Sequence, residues 1–103
     1  MKTKLYCVHD WKSGLFSKPV HDHDDNIAIR NFVSAVSAAE GALAEYPEDF
    51  GLYRVGEFDD ETGMFEPESP YSLMSGLEAV RKGRERIEKL EALQREIEEM
   101  KDA

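Results

Sequence analysis

The first hydrophobic positions come as a short unbroken run, Leu5-Tyr6-Cys7-Val8, bounded by polar residues. Such a run suits a strand buried on both faces, and so a central one. Lys12-Ser13-Gly14 signals a turn, and Leu15 to Val20 reads as the return strand, with Pro19 placing its end at an edge. The pattern then turns helical. Ile29, Phe32, Val33 and Val36 stand at i, i+3, i+4 and i+7, one face of a helix. Asp24 or Asp25 is a natural N-cap, and the acidic cluster around them favours the positive end of the helix. Ala35, Ala38 and Ala39 extend it and Gly41 is its expected stop, with one further turn at Ala42 to Tyr46 ended by Pro47. Leu52 to Phe58, rich in aromatic and β-branched residues, reads as a strand. Asp59 to Gly63 is a hairpin loop with glycine where a positive φ is needed, and Met64 to Glu66 is a short return strand. This ββαββ order predicts an α+β fold: a small antiparallel sheet with one helix packed on a face, followed by a long C-terminal helix.

That last helix is predicted from Leu77 to Met100, where all residues but Gly83 are strong helix formers. Leu77, Val80 and Ile87 mark one apolar stripe. Leu90, Leu93, Ile97 and Met100 mark another at a/d spacing. At about 100° per residue the second stripe lies well around the helix from the first. The first is expected to dock on the head, and the second to meet a partner helix in a homo-oligomer. The competing reading is a solvated helix held by pairs such as Glu85–Lys89 and Glu91–Arg95.

Charge divides the chain in the same place. Residues 76–103 hold 8 acidic and 7 basic residues, leaving 14 acidic and 6 basic in residues 1–75. The expected organisation is an acidic head over 1–75 that folds without the tail, and a charged helix over 76–103. Pro67 to Pro70, where helix cannot continue, is the nearest thing to a boundary.

At 103 residues the chain is one domain's worth. A net charge of −9 excludes non-specific duplex binding by a broad basic surface and argues against docking on anionic lipid. One cysteine, Cys7, allows no internal disulfide. No apolar run approaches a membrane span, and MKTKLYCVHDW lacks the apolar stretch of a signal peptide. A soluble protein in a reducing compartment is expected.

Catalytic motifs are absent: there is no phosphate loop, nucleophile elbow, H-E-x-x-H or C-x-x-C. His21-Asp22-His23-Asp24-Asp25 suggests metal ligation, but as a calcium loop it has Ile27 where Gly is required and Val33 where Glu is required. A solvated loop with an N-cap is the better reading, so neither a metal nor another cofactor is expected. Cys7, in an apolar run with no basic neighbour, reads as a buried structural thiol. His9, on the same strand face, reads as a core or edge histidine. One constellation points to a ligand. Tyr6, Trp11, Phe16, Tyr53 and Phe58 fall on strands or turns, and Lys4, Lys12, Lys18, Arg30 and Arg54 are most of the head's cations. Aromatics on a sheet with a few cations can stack single-stranded bases. The candidate contacts are Arg30, Arg54, Lys12, Trp11 and Tyr53; the competing reading places the aromatics in the core.

The segments Asp25-Asn26-Ile27-Ala28-Ile29-Arg30-Asn31-Phe32 and Tyr46 to Gly63, with the P-E-D-x-x-L-Y-x-x-G-x-F-D pattern at its heart, resemble the small nonstructural protein of gokushoviruses. These are single-stranded DNA bacteriophages of the microvirus family. The resemblance covers roughly residues 3–75. It implies a role in the host bacterial cytoplasm, in viral DNA replication or the switch to single-strand synthesis and packaging, and a DNA-binding label. It carries over no active-site residues. The expected function is a non-enzymatic accessory protein working through contacts with replication proteins or itself. A single-stranded DNA binder is the alternative, and a metal-dependent enzyme a third.

Overall fold

The computed structural model describes residues 1–102. Its elements follow in the order β1 (Lys2–Asp10), β2 (Leu15–Phe16), β3 (Val20–Asp22), α1 (Asp25–Val36), α2 (Ala42–Glu45), β4 (Phe50–Asp59), β5 (Phe65–Ser75) and α3 (Gly76–Asp102), with a 3₁₀ turn at Pro47–Asp49 before β4. The fold is α+β: one antiparallel five-stranded sheet with helices on a face. As its apolar run implies, β1 is central. It pairs with β4 on one side and with β2 and β3 on the other, and β5 lies beyond β4 at the far edge.

The return strand expected over Leu15 to Val20 is instead two pieces. His9 faces Phe16 and Tyr6 faces Val20, so three residues, Ser17 to Pro19, span the two-residue gap on β1. Ser17 bridges the break. Its backbone N–H donates to the Val8 carbonyl at 2.8 Å, and its hydroxyl accepts from the Val8 N–H at 2.8 Å. Pro19, with no N–H, cannot continue the ladder.

Asp24 caps α1, its Oδ1 accepting from the Ile27 N–H at 2.9 Å. The helix stops at Val36, short of the expected Gly41. Ser37 to Glu40 are exposed, so continuing would bury nothing, and the Ala38 N–H turns back to the Ala35 carbonyl. Gly41, at φ 112°, instead starts the single turn of α2.

The second hairpin turns at Gly63, with φ 74° as expected, but its return strand is far longer than Met64 to Glu66. It runs through Pro67 and Pro70 to Ser75. The two prolines therefore mark no boundary: they lie in an edge strand, where a missing N–H leaves only solvent unpaired. The strand passes directly into α3. Ser75 and Glu78 cap that helix reciprocally, the Ser75 hydroxyl accepting from the Glu78 N–H at 3.1 Å and the Glu78 carboxylate from the Ser75 N–H at 3.4 Å.

The core lies on the helix side of the sheet and is built from Tyr6, Ala28, Phe32, Val36, Leu52, Met74 and Ala79. α3 enters it by a different stripe from the expected one. Leu77 and Ile87 are exposed, and the residues that dock are Gly76, Ala79 and Gly83, with Val80 beside them. Small side chains let the backbone approach closely. The exposed seam then proves to continue this same face, because 76, 79, 83, 86, 90, 93, 97 and 100 form one unbroken heptad register. The register drifts only about 20° per heptad around a straight helix, and its residues change from small to large where α3 leaves the head. The helix is about 40 Å long at 1.5 Å per residue, within a molecule whose longest axis is 59 Å.

Candidate functional site

Alternation along β1 and β4 sorts the candidate residues between two faces of the sheet. Tyr6 and Val8 on β1 and Leu52 on β4 point into the helix-covered core. Cys7, His9 and Tyr53 take the other face, which no helix covers. There the His9 ring lies 4.3 Å from Phe16, 5.9 Å from Tyr53 and 6.4 Å from Trp11 between centroids. Phe16 meets Tyr53 edge to face at 5.6 Å. The turn after β1 fixes Trp11, whose backbone N–H donates to the Asp49 carbonyl at 2.9 Å. Gly51 leaves room for its ring: a Cβ at that position would stand 3.0 Å from the indole. Trp11 and Phe16 remain 46% and 45% exposed. Cys7, opposite Tyr53 in the ladder, is buried and burial pushes its thiol pKa up, so it is a structural thiol and a poor nucleophile. A second aromatic pair, Phe58 and Phe65 at 5.1 Å, extends toward the hairpin.

Of the five nominated contacts, Trp11 and Tyr53 thus share one surface, and Lys12 follows Trp11 in the exposed turn. The two arginines lie elsewhere. Arg54 is on the helix side of β4. Its Nη1 donates to Asp25 Oδ2 and its Nε to Glu68 Oε1, both at 2.5 Å, and its guanidinium sits 4.8 Å from the centre of the Tyr71 ring. These carboxylates, Glu68 foremost, hold it even more firmly protonated than usual. Tyr6 joins the same network, its hydroxyl donating to Asp25 Oδ1 at 2.7 Å. Burial, and then the hydrogen bond to Asp25, push its pKa well above the ordinary phenol value. Asp25 therefore ties α1 to both central strands. Of the His21–Asp25 segment, Asp24 caps a helix and Asp25 serves this network. Among the described residues no three His, Cys, Asp or Glu side chains gather as a metal site.

Arg30 faces outward from α1 over a groove shared with α3. The groove, of about 540 Å³, has Ile29 and Val33 on one wall and Lys82, Arg86 and Lys89 beside Glu85 on the other. Sequence reasoning nominated Arg30 but missed these three cations. Their 4- and 3-residue spacing on one helical face was the available signal. His9 was missed as a member of the aromatic group, though its place two residues after Cys7 fixes its face.

A family model described as Phage ORF5 protein matches residues 3–79, from β1 to the buried Ala79 at the start of α3. No curated protein and no solved structure matches the chain.

Proposed function

This chain belongs to the Phage ORF5 protein family, and we propose that it is a non-enzymatic accessory protein of the gokushovirus type. In this reading it acts in viral DNA replication, or in the switch to single-strand synthesis and packaging, through protein contacts made in the host cytoplasm. The observation that carries it is the seam of α3. Leu90, Leu93, Ile97 and Met100 are all at least 45% exposed, in heptad register, on a helix that projects from the folded head. Large apolar side chains at a/d positions are costly to leave in water, and a second helix relieves that cost. The first partner proposed is a second copy of the chain, and replication proteins of virus or host are the next. Affinity capture from infected cells tests the reading. Partners that remain after nuclease treatment support it; partners that all disappear with the nucleic acid contradict it.

The aromatic face favours a second reading, contact with single-stranded DNA. Stacking on an exposed ring contributes about 1–3 kcal/mol per base. Under this reading Trp11→Ala and Phe16→Ala each weaken binding to a labelled oligonucleotide roughly tenfold or more. The salt slope is shallow, about −0.7 per phosphate neutralised. Arg54→Ala is expected to act differently. It strands the part-buried Asp25, while the exposed Glu68 is left to solvent, costing about 1 kcal/mol of stability, and leaves affinity for the folded protein unchanged. Thermal melts and fluorescence titrations of the three variants separate these outcomes. Wild-type affinity in both ring variants removes the aromatic face from consideration.

A further inference from the structure

We infer that the α3 seam of one copy seats in the groove between α1 and α3 of a second copy, with the two α3 helices antiparallel. This rests on the reading that the chain associates through α3, and adds the direction and the seat. Three observations carry it. The first is charge. Between Gly76 and Lys89, α3 has five basic and three acidic side chains, and from Leu90 to Asp102 it has two basic and five acidic. The root of the helix is +2 and its end −3. Antiparallel pairing sets each root against the other copy's end, whereas parallel pairing sets like against like.

The second observation is continuity. Val33 lines the groove and also the neighbouring depression bounded by Gly83, Ile87 and Leu90, so an apolar floor leads from the groove onto the seam. Arg86 lines both, and it is the one charged residue in the heptad register from Gly76 to Met100. A lone cation in an otherwise small or apolar seam calls for an anionic counterpart across the interface, and the acidic end of a second α3 carries one. The third is the heads. Residues 1–75 carry −8 each. Antiparallel helices hold two such heads at opposite ends of the assembly, and parallel helices hold them side by side.

Charge reversal in the full-length protein tests the direction. Arg86→Glu with Lys89→Glu, and separately Glu96→Lys with Glu99→Lys, are each expected to weaken the dimer about tenfold or more, and all four together to restore it to within about threefold. All four positions are exposed in the single chain, so melts recorded at concentrations too low for association are expected to be unchanged. Distance measurement between spin labels at Lys101→Cys, in a Cys7→Ala background, gives the direction independently. The antiparallel arrangement separates the two labels by roughly 30 Å, the helical rise between positions 82 and 101. A dimer that ignores the reversals, or whose labels lie closer than about 20 Å along a shared parallel end, overturns the seating while leaving self-association intact. A protein that is monomeric at tens of micromolar overturns both.

Discussion

Gly76→Ala is expected to cost about 3 kcal/mol, near the upper end for overpacking, and to lower the melting temperature by roughly 15 °C. A Cβ at residue 76 would stand 1.8 Å from the Pro47 carbonyl oxygen and 2.7 Å from its carbon. Both are backbone atoms, so no rotamer change relieves the clash; the 3₁₀ turn or the root of α3 must move. Gly83→Ala makes the contrast. Its Cβ would meet the Ser37 hydroxyl at 2.6 Å, the end of an exposed side chain that can rotate away, and then the Ser37 Cβ and a Val33 methyl at an ordinary 3.8 Å. Alanine also gains up to about 1 kcal/mol over glycine inside a helix. Gly83→Ala is therefore expected to be neutral or mildly stabilising. Differential scanning calorimetry on the pair checks the claim. Equal losses would mean that α3 tolerates no closer approach anywhere along its docked face.

The second large effect concerns where the folded unit ends. At concentrations too low for association, a chain cut after Leu90 is expected to melt within a few degrees of the full-length protein, because Gly76, Ala79, Val80 and Gly83 are all retained. A chain cut after Ser75 is expected to unfold cooperatively still, since its sheet and α1 remain, but with about 3 kcal/mol less stability. Cutting there removes Ala79, which is fully buried, and opens the side of the core formed by Phe32, Val36 and Met74. The family match, which runs to Ala79 rather than to Ser75, coincides with the packing. Urea unfolding of the two shortened chains measures the difference. A midpoint for the shorter chain equal to that of the longer one would show the root of α3 to be an attachment and no part of the core.

Local signals made much of this fold legible. The Asp24 cap, the 29–32–33–36 stripe and the positive φ of Gly63 each depend on a few neighbouring residues, and each stands as the sequence implies. What was hidden depends on tertiary surroundings. Pro67 and Pro70 forbid a helix but not an edge strand, and only the sheet decides which applies. The docking stripe of α3 escaped notice because it is written in Gly76, Ala79 and Gly83, residues that hydrophobic periodicity passes over, whereas the larger Leu77 and Ile87 caught the eye and proved exposed. Ser75 and Glu78 spell a capping box in the sequence that the reading from Leu77 passed over, and the structure starts the helix there. At the candidate sites, alternation could have separated Tyr6 from Cys7 and His9. The pairing of Arg54 with Asp25 and Glu68 joins residues far apart in the chain, and no local pattern foretells it.

Everything proposed for α3 depends on its exposed seam being an interface. Light scattering with in-line size separation, on the full-length protein at tens of micromolar and on Leu93→Asp with Ile97→Asp, measures this directly. Full-length protein is expected at twice the mass of one chain or a higher even multiple. The double variant is expected at the mass of one chain, because unpaired carboxylates cannot be buried in that seam. A full-length protein that elutes with the mass of a single chain, or a double variant that keeps its assembled mass, contradicts the account.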